Sequence, residues 1–189
     1  MSPESIRLRP WRDADLAPYA EMNADPEVME FFPRLLTREE SADSLDRQRR
    51  LLAERGWGLW VLEVDGDFAG FTGLAVPAFS APFTPCVEIG WRLRREFWGR
   101  GLAFAAASAV RDHAFATLRL PELVSFTAAT NLRSRRLMER LGFLRRATED
   151  FLHPSLPAAS PLRPHVLYRQ SAPGPGPAAG VPPVGIVPA

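Results

Sequence analysis

Lysine is absent from this 189-residue chain, and all 23 of its Lys/Arg positions are arginine. A Gly-Lys-Ser/Thr phosphate loop therefore cannot exist here, and a lysine Schiff base, with the usual pyridoxal-phosphate chemistry, is excluded too. Cysteine is nearly absent. The single Cys86 permits no internal disulfide and no cysteine-rich zinc site, and at the head of an apolar strand it reads as a buried structural thiol. An excess of one charge is also missing: 23 basic residues against 22 acidic ones leave +1, which is not the footprint of a nucleic-acid or anionic-membrane binder. No apolar run approaches the ~20 residues of a membrane span. "MSPESIRLRP" has no apolar signal core, so a cytoplasmic location is expected. His113, His153 and His165 are scattered without cysteine partners, and no metal site is expected.

What is present suits one compact domain. Apolar residues make up 46% of the chain, ample for a core. "SIRLRPW" alternates as a first strand, and Asp13 is placed to cap a short helix through Leu16, Ala17 and Ala20. "NADPEVMEFFP" reads as a turn and a further helical piece. Thr37 and Glu40 have capping-box spacing at the head of a longer helix that Gly56 stops. Two strands then flank Asp65-Gly66, a hairpin signal. Val76 to Pro85, punctuated by Pro77, Pro82 and Pro85, is a loop. A strand over Cys86–Leu93, a helix over Leu102–Phe115, a strand over Glu122–Thr130 and a helix from Asn131 to Gly142 follow. "FLRRATEDF" and "HVLYRQ" read as closing strands. From Ser171 onward 10 of 19 residues are Pro or Gly, so 171–189 is expected to be a disordered tail after a domain spanning 1–170. The interspersed order predicts an α/β domain: a mixed sheet with helices on both faces.

The most informative stretch is "VEIGWRLRREFWGRGLAFAAA", Val87 to Ala107, in which Gly99-Arg100-Gly101 joins a strand to an alanine-rich helix. A helix N-terminus offers unpaired N–H groups and the positive end of its dipole. Flanking glycines let a phosphate approach the backbone, and Arg100 adds charge. The plainer alternative is a glycine-shaped βα turn. A dinucleotide fingerprint would need a third glycine and an acidic residue ~20 positions on, and the sequence has Phe104 instead. A second constellation follows the next strand. Asn131 is a good N-cap, and Ser134, one turn on, shares its face.

Taken together, "EIGWRL…FWGRGLA" and, some thirty residues later, "NLRSRRLMERLGF" resemble the GNAT superfamily of acetyl-CoA-dependent N-acetyltransferases. Within it the chain resembles the branch containing the ribosomal-protein N-terminal acetyltransferases. The resemblance covers about residues 5 to 170, including "DFLHP" and "HVLYR". It implies a GNAT-like single domain whose central sheet is splayed and flanked by helices. Acetyl-CoA would be the co-substrate, with no metal. Gly99, Arg100, Gly101, Leu102 and Ala103 would hold the pyrophosphate by backbone N–H groups, while Trp98 stands where the family loop usually begins with Gln or Arg. Trp91 and Leu93 would pair with the pantetheine arm, Asn131 would contact it or cap the helix, and Ile89 or Gly90 would offer an N–H to a developing oxyanion.

The implied reaction is direct attack of a primary amine on the thioester in a ternary complex. Glu88 is the candidate base; its plainer role is a strand carboxylate paired with Arg92. Ser134 is the candidate acid for the departing thiolate; its plainer role is a helix-surface serine. The acceptor would be a small-molecule amine or a protein N-terminus, with no nucleic acid or membrane as partner, and a homodimer is compatible with the resemblance. A non-catalytic acyl-CoA-binding sensor or partner domain is the alternative. A nucleotide-binding α/β protein would require ATP to displace CoA.

Overall fold

The alternation of Ile6 and Leu8 with arginines does produce the first strand, β1 (Ile6–Arg9). In the computed structural model, residues 4–173 and 185–186 are described. Arg9 turns inward, against the simple alternation, because Asp15 at 2.8 Å and Glu63 at 2.5 Å accept from its guanidinium. Asp13 caps nothing; Asp13–Asp15 is a 3-10 turn leading into α1 (Leu16–Ala24). In "NADPEVMEFFP" the first two residues, Asn23 and Ala24, end α1, and the rest forms turns with no further helix. α2 (Arg38–Arg55) starts at the expected capping box. Thr37 Oγ1 accepts from Glu40 N–H at 3.1 Å, and Glu40 Oε2 accepts from Thr37 N–H at 2.9 Å. Gly56, at φ 71°, ends it in the left-handed conformation that glycine adopts without cost.

β2 (Leu59–Val64) and β3 (Asp67–Ala75) form the hairpin about Asp65 and Gly66. The proline-punctuated loop then leads to β4 (Glu88–Leu93), α3 (Leu102–Ala116), β5 (Glu122–Ala128) and α4 (Leu132–Arg140). "FLRRATEDF" is no single strand. It breaks into β6 (Leu144–Arg145), a 3-10 turn at Ala147–Glu149 and β7 (Phe151–Leu152), both strands pairing with β8 (Pro164–Ser171). Ser171, placed in the tail by sequence, closes β8. Within that tail Gly185 and Ile186 form β9, parallel to Arg7 and Leu8. Residues 174–184 and 187–189 lie outside the described residues.

Among the described residues the result is one open, mixed sheet of nine strands in the order β6-β8-β5-β4-β3-β2-β1-β9, with β7 beside β8, flanked by four helices. This is the mixed α/β architecture expected. α3 buries Leu102, Ala106, Ala107, Val110 and Ala114 against Ile89, Leu93 and Leu123 on one sheet face. α1 packs Tyr19 and Met22 with Trp11, Leu45, Phe68 and Phe71 on the other. At ~25 cal/mol per Å² of apolar surface, these two clusters are the main stabilising store of the domain. Strand periodicity sends Ile89, Trp91 and Leu93 toward α3, and Glu88, Gly90 and Arg92 to the opposite face.

Candidate active site

β4 and β5 are neighbours only at their starts. Glu88 faces Val124 in the one bridge they share, and Val124 N–H donates to Val87 O at 3.0 Å. One step further the main-chain ladder is replaced by a side chain, as Ser125 Oγ donates to Ile89 O at 2.9 Å. Beyond that point the strands diverge. On β4's other edge, Arg92, Gly90 and Glu88 pair with Phe71, Gly73 and Ala75 of β3. The main-chain groups of Trp91 therefore point into the fork, and among the described residues they have no partner there. An extended, peptide-like arm can satisfy such an edge as an added strand does.

Two expectations change in detail. Gly90 N–H belongs to the β3 ladder, and Ile89 N–H lies within the single β4–β5 bridge. Neither is free for an oxyanion, and Trp91 supplies the first open N–H. Leu93 O already accepts from the Trp98 indole N–H at 2.9 Å. Trp98, where the family loop has Gln or Arg, thus ties the end of β4 to the turn that follows.

That turn stands open. Gly99 (φ 75°) and Gly101 (φ 77°) both occupy the left-handed region, and a Cβ on either would meet nothing within 4 Å. Trp98 N–H is bonded to Arg95 O and Ala105 N–H to Gly101 O. Among the described residues nothing accepts from the six intervening amides, Gly99 through Phe104. These N–H groups sit at the positive end of the α3 dipole, the local arrangement that favours a phosphate. Three guanidinium groups stack on the aromatic rings around them: Arg100 on Phe97, Arg133 on Trp98 and Arg140 on Phe104. Arg100 also pairs with Glu4 at 2.7 Å, which holds its charge beside the turn. The backbone and charge of Gly99–Ala103 fit a pyrophosphate.

Across the fork, Asn131 caps α4 as expected. Its Oδ1 accepts from Ser134 N–H at 3.2 Å, while Nδ2 donates to Thr127 Oγ1 at 3.0 Å and to Ser134 Oγ at 3.2 Å. The side-chain donors of Asn131 are therefore engaged within the protein. Ser134 Oγ, being an acceptor in this arrangement, keeps its own proton for donation outward.

On the α1 face, Glu88 is half-buried at the closed end of the fork. Its expected partner is not there: Arg92 reaches instead to Asn23 Oδ1 at 2.7 Å. Among the described residues the Glu88 carboxyl has no hydrogen-bond or ion-pair partner, and burial raises its pKa to about 8. Its Oε1 leans along the strand to within 3.9 Å of where a Gly90 Cβ would stand. Beside it, Phe79 and Phe83 of the proline loop pack on Phe126 of β5 and Phe151 of β7. His153 and His165 complete this cluster, 4.9 Å apart, and burial lowers the pKa of both. The loop aromatics and His153 thus form one cluster over β5, β7 and β8, whereas Trp60 is core and packs on His113 of α3. Cys86 is half-buried, and burial, then Glu88, pushes its thiol up to about 11. Among the described residues no cluster of three metal-ligating side chains occurs, and no helix is long and apolar enough to cross a membrane.

An open amide turn beside a forked sheet is an arrangement able to receive a diphosphate and an extended, amide-bearing arm. The sequence matches the acetyltransferase (GNAT) domain over residues 5–144, and the chain belongs to that family. It is 33% identical over 128 residues to the FsC-acetyl coenzyme A-N(2)-transacetylase of Aspergillus fumigatus, covering 64% of this chain and 54% of that protein. The chain thus spans about half the length of this relative. A solved acetyltransferase from Agrobacterium tumefaciens superposes with TM-score 0.69 at 27% identity, covering 90% of this chain and 95% of that one. The Salmonella typhimurium protein yncA, solved with its cofactor acetyl-CoA, shares the fold at TM-score 0.67 and 19% identity, covering 95% and 100%.

Sequence reading missed Ser125, whose hydroxyl holds the fork at its vertex, and Thr127, which anchors Asn131. It also missed the buried Tyr168, which donates to Glu139 Oε1 at 2.7 Å. A polar residue inside an otherwise apolar strand was the available signal for Ser125 and Thr127.

Proposed function

We propose that this chain transfers an acetyl group from acetyl-CoA directly to a primary amine while both substrates are bound, and that it falls in the ribosomal-protein acetyltransferase-like branch of the family. One observation carries the reading: at the α3 N-terminus six adjacent amides, unbonded among the described residues, lie beside a sheet that opens at Trp91. Gly99 to Ala103 bind the pyrophosphate, and the Trp91 main chain aligns the pantetheine arm. Acetyl-CoA supplies the activated acyl group.

Glu88, with its pKa raised to about 8, takes the proton from the incoming ammonium, directly or through water. An α-amino group titrates near ~8 and a lysine-like amine near ~10.4, so a base of this strength is matched to the first and adequate for the second. Ser134 Oγ returns a proton to the departing sulfur. Trp91 N–H faces the developing oxyanion. Much of the acceleration then comes from holding two substrates in line, which requires few special side chains.

Thiol release measured with acetyl-CoA and a panel of amines tests this. Turnover that falls in Ser134→Ala and in Glu88→Gln is expected. Tight CoA binding with no turnover on any amine would instead support the non-catalytic acyl-CoA-binding reading.

A further inference from the structure

Arg92 is a half-buried cation on the α1 face of β4 and, among the described residues, has no anion to balance it. Its Nη1 donates to Asn23 Oδ1 at 2.7 Å, and its guanidinium carbon stands 3.8 Å above the Phe32 ring and 5.3 Å from that of Phe71. Its Nε is buried and has no hydrogen-bond partner. Among the described residues no carboxylate lies within ion-pairing distance, although the chain forms such pairs for Arg9, Arg94, Arg95 and Arg169. A charge drawn this far out of water is normally paired, since an unpaired one loses part of its hydration without compensation.

The support beneath Arg92 is neutral throughout. Asn23 is fully buried; its Nδ2 donates to Ser41 Oγ at 3.0 Å, and Ser41 Oγ donates to Thr37 O at 2.9 Å. This chain fixes the Asn23 amide so that its oxygen faces the guanidinium. The cation is thus positioned firmly and left uncompensated. Along β4 the same sheet face carries Glu88, then Gly90, then Arg92. Gly90 leaves open space above the strand, where the nearest atom to a Cβ would be Glu88 Oε1 at 3.9 Å. At ~3.3 Å per residue, Glu88 and Arg92 are about 13 Å apart at Cα.

We infer that Arg92 is the anion anchor of the acceptor site, so that the acceptor is an amine that also carries a carboxylate or phosphate group. Lying over Gly90, such a molecule presents its ammonium to Glu88 and its anionic end to the unpaired face of Arg92. This rests on the acetyl-transfer reading for the role of Glu88, but the anchor itself is a binding claim and is tested separately. Burial lowers the Arg92 pKa to about 10; the group stays charged at neutral pH, and an arriving anion relieves the cost of enclosing it.

The test uses the full chain with acetyl-CoA and matched amines. Glycine, 4-aminobutyrate and 6-aminohexanoate are compared with alkylamines of equal length, and O-phosphorylethanolamine with ethanolamine. A preference of tenfold or more in kcat/KM for one anionic amine over its neutral match, carried mainly by KM, is expected. In Arg92→Gln that ratio should fall toward one, and in Arg92→Lys it should be intermediate. A preference confined to the phosphorylated amine identifies phosphate as the anion. Equal rates for anionic and neutral amines, or a ratio untouched by Arg92→Gln, overturn the proposal.

A purely structural role for Arg92 would lower all amines together and leave the ratio unchanged. Calorimetric titration of the same amines into the CoA complex separates the two readings. If no amine turns over but an anionic amine binds the wild type at least tenfold more tightly than Arg92→Gln, acetyl transfer fails and the anchor stands. If no anionic amine binds more tightly than its neutral match, the anchor fails. Should Arg92→Gln not fold, the wild-type comparison and Arg92→Lys decide the matter alone.

Discussion

Ser125 Oγ donates to the main-chain oxygen of Ile89 at 2.9 Å, at the point where β4 and β5 part. A side chain here takes over from the backbone ladder. It closes the last satisfied position before Trp91 faces an open edge, and it does so with Ser125 almost fully buried. Ser125→Ala leaves Ile89 O short of a donor in a dry setting, at a cost of about 1–3 kcal/mol. A lower midpoint in chemical denaturation is expected, together with a raised KM for acetyl-CoA as the fork loses its vertex. A midpoint and KM equal to wild type would show that the hydroxyl does not hold the fork.

Glu88 predicts a pH dependence with a defined sign. Its carboxyl takes up a proton more readily folded than unfolded, because burial raises the folded pKa from 4.5 to about 8. The folded state then holds one more proton than the unfolded state between those values, so stability falls as pH rises through this window. Rate, in contrast, should rise with pH and level off above about 8, as the carboxylate form accumulates. Glu88→Gln should flatten both curves and lower kcat by roughly 10²–10⁴-fold. Paired pH profiles of melting and of thiol release check the two halves independently.

Gly101 combines a φ of 77° with the first free amides of α3. Gly101→Ala costs about 1–2 kcal/mol of backbone strain. Its methyl would project into space that no protein atom occupies within 4 Å, where the pyrophosphate is expected. A several-fold or larger rise in the KM for acetyl-CoA should accompany a modest fall in melting temperature. Strain without a change in KM would argue that the anion does not sit on this turn.

Ser134→Ala separates the hydroxyl from the cap that holds it. The Asn131 Oδ1 to Ser134 N–H bond survives this change, so α4 should keep its stability. Turnover should drop about tenfold or more with little change in CoA binding, a pattern expected when a proton donor acts only on the departing sulfur. Asn131→Ala, in contrast, removes the cap and should cost about 1 kcal/mol of stability.

Local chemistry made much of the fold readable. The capping box at Thr37 and Glu40, the stop at Gly56, the Asp65-Gly66 hairpin and the Asn131 cap each depend on neighbours a few residues away, and each formed as expected. "FLRRATEDF" failed as one strand because its two short pairings are dictated by β8, which comes later in the chain. Gly185 and Ile186 similarly gain strand structure only because the edge of β1 is available to them. Arg92 was expected to face Glu88 because both occupy one face of β4. The direction of a long side chain is instead settled by what packs over it, here Asn23 and Phe32 from a distant segment.

By itself the sequence determined the open amide turn, since two glycines ahead of an alanine-rich helix need no distant contact to leave their N–H groups bare. It also determined, through residue identity alone, that no lysine and no disulfide take part. The tertiary structure decided where the sheet forks, which amide faces the gap and, among the described residues, that Glu88 stands unpaired while Arg92, further along the same face of β4, reaches to Asn23 and has no counter-charge. Those outcomes depend on register between strands far apart in sequence and on burial, which are properties of the assembled layers and not of any local run of residues.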